Sequence, residues 1–205
     1  MDLTELRDKV GCDLAKRLVT SRILCNNCRL LDESSRRSSA YADDTYIPFY
    51  YHLGKYLQSK TLFRFGFDLG LLTGSFLRSC QSVERFLVFH PTLDESSTSW
   101  KLGAKNIQDV YRGYFEVYAG KFSDQAFQSR LAQGWDLVMV NTEIGYDDFR
   151  YTLDLLWEHV RGQMVVDRVG EGNVGNHPFR DFCKIKRLEP LYFGTRYGVG
   201  IVQKE

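Results

Sequence analysis

Apolar and polar positions along the chain change period more than once, and each change marks a boundary between kinds of structure. Residues 2–31 carry Leu3, Leu6, Val10, Leu14, Leu18 and Ile23. That is close to the three-and-four spacing that lines one helical face, so one or two helices open the chain. The stretch DESSRRSSAYADD, Asp32 to Asp44, is polar and serine-rich. It reads as a solvated loop that separates this helical arm from the core and can order over a ligand. From Tyr46 to Ser59, YIPFYYHLGKYLQS places Pro48 in a first helical turn and follows it with aromatic and aliphatic residues suited to a buried helix.

Beyond that helix the pattern shortens. Apolar runs LFRFGFDLG, RFLVFHP, YFEVYAG, WDLVMVN and GQMVVDRV recur, each followed by a helical stretch. Such alternation predicts a parallel sheet with helices on both faces. The end of the chain departs from it: FCKIKRLEP and YGVGIVQK read as two strands joined by LYFGTR, with no room for a crossover helix. A hairpin is the only pairing that so short a connection allows. The expected architecture is α/β, with an N-terminal helical arm and polar loop over 1–45 and the sheet domain over 46–205.

Composition narrows the setting. A chain of 205 residues with 43% hydrophobic content builds one α/β core and is short for two. Lys and Arg number 27 against 26 for Asp and Glu, so no global field draws the protein to nucleic acid or to anionic lipid. No apolar run approaches bilayer length, and the charged, amphipathic N-terminus lacks a signal peptide's apolar stretch. A cytoplasmic location is the expectation. The five cysteines, Cys12, Cys25, Cys28, Cys80 and Cys183, do not form a secreted disulfide framework. Cys25 and Cys28 make a lone CxxC with no second pair for a zinc site, so packed thiols are the plain reading and redox or metal use the alternative. They can also place the arm in an interface with a second copy.

The most informative stretch is Phe65 to Phe76, FGFDLGLLTGSF, in which a strand-like run ends in Asp68, then Gly70, then Gly74 and Ser75 opening a helix. Glycine just past a strand lets the backbone turn sharply and approach a ligand. The expectation is an open notch at Gly70 beneath the Asp68 carboxylate. With the order of runs that follows, this resembles the class I S-adenosylmethionine-dependent methyltransferases, in the branch akin to catechol O-methyltransferases. The resemblance covers roughly residues 46–203. It implies a Rossmann-like, mostly parallel seven-stranded sheet ending in an antiparallel hairpin, and S-adenosylmethionine as cofactor.

What the resemblance implies for the site follows strand by strand. Asp68, Gly70, Thr73, Gly74 and Ser75 would border the methionine part of the cofactor. His90 stands where the family usually has the acid that grips both ribose hydroxyls, and an imidazole supplies one such bond, with Asp94 or Glu95 nearby. In AGKFSDQAF, Gly120, Lys121 and Phe122 correspond to the adenine turn, although Phe122 and Phe127 serve equally well as packing. The fourth run leads into an acidic loop with Tyr146, a helix, a turn at Gly162 and a fifth strand ending in Asp167. Metal-dependent relatives place carboxylate ligands at the ends of these two strands, where this chain has Asn141, Asp167 and Arg168. Mg²⁺ needs hard, anionic oxygens, so no metal site is expected. A histidine common in that loop is Ile144 here.

Candidate groups for taking the acceptor's proton are Glu143, Asp167 and His177, the last in the glycine-rich segment GEGNVGNHPF. Each has a plain alternative: a solvated acid, an ion pair of Asp167 with Arg168 or Arg180, and a turn-shaping histidine before Pro178. The aromatic group Tyr46, Phe49, Tyr50, Tyr51 and His52 precedes the first strand, where the family often borders its cleft. The functional expectation is metal-independent methyl transfer to an O or N atom of a small molecule, sugar or peptide. The competing expectation is a catalytically degenerate binding or assembly module of the same fold. A nicotinamide-dependent enzyme fits poorly, because the close GxGxxG spacing is absent.

Overall fold

A computed structural model of the chain describes residues 1–16, 46–67, 69–91, 96–140, 146–195 and 197–204. The chain divides into two compact units, each assembled from separate segments. Cys25 and Cys28 lie outside the described residues, as do Asp68, Asp94, Glu95, Asn141, Glu143 and Ile144.

The first unit is helical. It contains α1 (Leu3–Ala15), α2 (Tyr46–Leu57), α3 (Leu71–Ser79) and α4 (Thr98–Gln108). Asp2 caps α1 by accepting a hydrogen bond from the Glu5 backbone N–H at 2.8 Å, and Ser97 caps α4 through the Trp100 N–H at 3.1 Å. Pro48 falls in the first turn of α2, where its missing N–H costs nothing. The aromatic group flagged before the first strand is core: Tyr46, Phe49, Tyr50 and His52 are buried and Tyr51 is half-buried. Tyr50 meets the edges of Tyr46 and Phe49 at 5.8 and 5.3 Å.

A polar knot joins α1 to α2 inside this unit. Asp13, buried, accepts hydrogen bonds from Lys55 Nζ and from the Tyr56 hydroxyl, both at 2.7 Å. His52 Nδ1 stands 3.5 Å from the same carboxylate. The Lys55 and Tyr56 hydrogen bonds hold the Asp13 carboxyl well below the usual carboxylate range. Burial lowers the His52 pKa more than Asp13 raises it.

The second unit is the sheet and its remaining helices. Strands β1 (Thr61–Phe65), β2 (Arg85–His90), β3 (Phe115–Ala119), β4 (Trp135–Val140), β5 (Val160–Asp167), β6 (Leu191–Phe193) and β7 (Val199–Gln203) lie in the order β3-β2-β1-β4-β5-β7-β6. The first five are parallel, and β7 runs antiparallel to both β5 and β6. Helices α5 (Gln125–Leu131), α6 (Tyr146–Trp157) and α7 (Asn176–Lys186) belong to this unit. One sheet face, with Phe63, Phe65, Phe89, Val138, Val140 and Val166, packs with Phe127, Phe149, Leu153, Phe179 and Phe182 from these helices into a continuous core. The alternate residues Leu62, Phe86, Val88, Leu137, Met139, Val165 and Ile201 are buried too. That explains strands that read as apolar runs rather than as alternation.

Two expectations need correcting. FCKIKRLEP is not a strand: residues 182–186 complete α7, and the first hairpin strand is Leu191–Phe193, inside the segment read as a connector. Phe179, Phe182 and Cys183 recur at helical spacing and are buried, while Ile185 is exposed. The period of 3.6 therefore outweighs the apparent alternation around Ile185. Gly162 is not a turn either. It sits within β5, where a Cβ would come 2.5 Å from the Asp136 carbonyl oxygen, beside the register shift between Trp135 and Leu137. Among the described residues, no helix is long and apolar enough to cross a membrane.

The Asp13–His52 knot makes acid destabilising. An aspartate whose folded pKa is depressed contributes fully above about pH 4 and loses that contribution as pH falls through the folded value. A histidine held neutral contributes fully above about pH 6.5, and below it the unfolded chain takes up a proton that the fold disfavours. Thermal melts are expected to show a falling Tm between about pH 7 and pH 5, with a flatter profile for His52→Gln. An unchanged slope in the variant would assign the pH dependence elsewhere.

Candidate functional site

The glycine turn forms as expected in its backbone. Gly70 adopts φ +65° and serves as the N-cap of α3, with its carbonyl accepting from the Gly74 N–H at 2.7 Å. A residue with a Cβ would be strained there. Packing requires glycine as well, because a Cβ at Gly70 would approach the Gly103 carbonyl oxygen to 2.5 Å. The anticipated open notch on that side is therefore replaced by the backbone of α4. Asn106 Nδ2 donates to the Leu69 carbonyl at 2.8 Å and pins the turn to α4. Phe67 lies against Gly103 and meets the Trp100 ring at 4.5 Å. Thr73, Gly74 and Ser75 are all buried in the first turns of α3. The Thr73 hydroxyl has no hydrogen-bond partner among the described residues, an arrangement that costs about 1–3 kcal/mol unless something satisfies it.

The ends of β2 and β3 lie in the second unit. His90 terminates β2, half-buried, and burial pushes its imidazole below the ordinary value. It is neutral near pH 7 and can donate or accept a single hydrogen bond per nitrogen. After β3, Gly120 turns the chain, and Asp124 closes the turn by accepting from the Lys121 N–H at 2.8 Å and the Tyr118 hydroxyl at 3.2 Å. Lys121 is exposed. Phe122 stacks on Phe65 at 5.2 Å and on Phe89 at 4.8 Å, residues from the ends of β1 and β2. Its packing role is thus established by geometry, and its ring edge belongs to the same turn.

At the end of β5, Asp167 meets Arg64 rather than the expected Arg168 or Arg180. Arg64 of β1 and Asp167 of β5 are both about 1% exposed, with Nη1 and Oδ2 3.6 Å apart. Arg64 Nε also donates to the Gly66 carbonyl at 3.1 Å. The signal was present: an arginine inside the apolar run LFRF of a strand buried on both faces must meet a counter-charge. Arg168, next along, adopts φ +60° and lies over the Tyr197 ring at 5.3 Å. His177 is exposed in the first turn of α7. Asn141 and Glu143 fall outside the described residues.

Beyond Asp167 the chain walls a cavity of about 530 Å³, lined by the loop after β5, the start of α7 and the β6–β7 turn. Val169 N–H donates to the Gly198 carbonyl at 3.2 Å and Gly170 N–H to the Tyr197 carbonyl at 2.9 Å. Glycine permits that stitching, since a Cβ on Gly198 would collide with the Gly170 nitrogen.

Neither a family model nor a curated relative matches the sequence. Solved structures do match the fold. A methyltransferase of Podospora anserina, solved with S-adenosylhomocysteine bound, superposes with a TM-score of 0.65 at 11% identity, over 100% of this chain and 98% of its own. The O-methyltransferase of tomaymycin synthesis from Streptomyces achromogenes, in complex with S-adenosylmethionine, gives 0.64 at 13% identity, covering 99% of each chain. A Staphylococcus aureus protein described as a caffeoyl-CoA O-methyltransferase gives 0.65 at 10%, over 98% of this chain and all of its own. The fold is that of the class I methyltransferases. In this methyltransferase fold the fifth-strand carboxylate is committed to an internal guanidinium, and among the described residues no cluster of His, Cys, Asp or Glu is arranged to hold a metal ion.

Removing one member of a buried ion pair leaves the other charge uncompensated, at about 3–5 kcal/mol. Arg64→Met and Asp167→Asn are each expected to lower stability on that scale in denaturant melts. The double variant should recover much of the loss. Single variants within about 0.5 kcal/mol of the parent would show that the pair is not buried in solution.

Proposed function

We propose that this chain is an S-adenosylmethionine-dependent methyltransferase that acts, without a metal ion, on an O or N atom of a small molecule, sugar or peptide. The observation that carries the reading is a left-handed glycine turn after β1 in a sheet of this order, followed by a buried Thr73 hydroxyl that lacks a partner among the described residues. An orphaned hydroxyl beside such a turn fits a polar ligand group, so the residues present are compatible with the cofactor. Gly70, Thr73, Gly74 and Ser75 would hold its methionine part, together with Asp68. The neutral imidazole of His90 would bond one ribose hydroxyl without opposing a cationic sulfonium. Gly120, Lys121 and Phe122 would border the adenine. S-adenosylmethionine supplies a methyl group activated on that sulfonium.

Metal independence is supported by the charge already in place. Asp167 is held against Arg64, and a divalent cation beside that guanidinium would meet like charge in a region of low dielectric. The same pairing argues against Asp167 as the group that takes the acceptor's proton, which leaves Glu143 and the exposed His177 as candidates. One observation favours the second reading, a non-catalytic module. Leu69 to Leu77 are buried throughout, and the backbone of Gly103 fills the space beside Gly70.

Isothermal titration with S-adenosylmethionine and S-adenosylhomocysteine separates the two. Saturable binding of both is expected, and no heat at about 1 mM ligand would leave only the non-catalytic module. Thr73→Val sharpens the test. Loss of an unsatisfied hydroxyl should leave thermal stability equal or higher while weakening cofactor binding by about 1 kcal/mol, roughly fivefold. Unchanged affinity would remove Thr73 from the site.

A further inference from the structure

We propose that the cavity beyond β5 binds a small zwitterion, taking an ammonium group on Glu171 and a carboxylate on Arg180, with the body of the ligand against Tyr192. At about 530 Å³ the cavity falls within the about 300–1,000 Å³ of small-molecule sites. It is a constructed space: two backbone hydrogen bonds join its loops, and Gly198 allows the close approach on which they depend.

The charges on its wall identify the ligand. Glu171 and Arg180 both line the cavity and are exposed. Among the described residues neither makes an ion pair, with the other or with a third group, whereas Lys186 of α7 does, lying 3.4 Å from Asp154 of α6 and 3.3 Å from Glu158. Opposite charges that line one cavity without pairing with each other are complementary to a molecule that carries both. Inorganic phosphate or a simple anion would satisfy Arg180 but meet Glu171 with like charge. A neutral sugar would offer hydroxyls to both side chains but a counter-charge to neither, forgoing two charge-assisted contacts.

Hydrogen bonding inside the wall is consistent with this. Asn176 Nδ2 donates to the Val169 carbonyl at 2.6 Å, and Asn173 Nδ2 donates to the Gly170 carbonyl at 3.3 Å. One N–H of each amide is thereby engaged, which orients the side chain and leaves its carbonyl oxygen with acceptor capacity for an N–H or O–H group. The Tyr192 ring is held edge-on to Phe179 at 5.9 Å, giving the ligand body a fixed aromatic surface. Every wall residue belongs to one compact unit, and the assignment stands on this cavity alone, independent of whether the chain transfers methyl groups.

The test is binding, read by titration calorimetry or by ligand-observed NMR on the full chain, with L-tyrosine, N-acetyl-L-tyrosine and L-tyrosine amide as probes and inorganic phosphate and glucose as controls. L-tyrosine should bind, and each singly blocked form should bind at least about tenfold more weakly, the scale of one lost charge-assisted contact. Arg180→Met should abolish the preference for the free carboxylate but keep that for the free amine, and Glu171→Gln should do the reverse. Both positions are exposed, so the variants are expected to fold, and unchanged melting curves check this. Equal binding of all three tyrosine forms, a preference for phosphate or glucose, or no binding of L-tyrosine at about 10 mM would overturn the proposal.

Discussion

A parallel sheet buried on both faces tolerates a charge only where an opposite charge meets it, and that constraint shapes the ends of β1 and β5. Arg64 enters the buried interior of β1 between Phe63 and Phe65. Its Nε donates to the Gly66 carbonyl, and its charge is balanced by Asp167 at the end of β5. Because β4 separates β1 from β5, the pair spans three strands and ties the segment entering the glycine turn to the strand that ends at Asp167. The Asp167 carboxylate is neutralised from within.

Close backbone approach is the second organising device. Gly70 needs its left-handed conformation to begin α3, and the carbonyl of Gly103 presses against it. Gly198 and Gly170 meet in the same manner where the hairpin turn is stitched to the loop after β5. In each case the absent side chain is what lets two backbones share hydrogen bonds or van der Waals contact. The first contact closes space beside the turn. The second holds open a cavity by fixing its two rims to each other.

Polar groups divide accordingly into those that hold the fold and those left available. Asp13 is saturated by Lys55 and Tyr56, and Asp124 closes its own turn. The Thr73 hydroxyl, by contrast, is buried without a described partner, and Glu171 and Arg180 face a cavity without pairing. Saturated groups report on stability. Unsaturated ones are where ligand chemistry can be added at least cost in reorganisation.

Much of the architecture was legible along the chain. Fully apolar runs separated by helical stretches specify a parallel sheet buried on both faces, and FGFDLGLLTG marks its glycine turn, because period and glycine placement are local properties. The short link before YGVGIVQK required a reversed last strand. Where local signals competed, the reading failed: FCKIKRL can be scanned as alternation or as a helix, and only burial of Phe179, Phe182 and Cys183 on one side decides for α7. Gly162 carries turn chemistry but lies in β5, held by the neighbouring Asp136 carbonyl. The partner of Asp167 was beyond sequence reasoning for a related cause. Arg64 lies about a hundred positions away, and strand order, a tertiary property, sets which strand ends become neighbours. Charge at a site is written in the sequence, but its neutralisation is settled by which side chains the fold brings within a few ångströms.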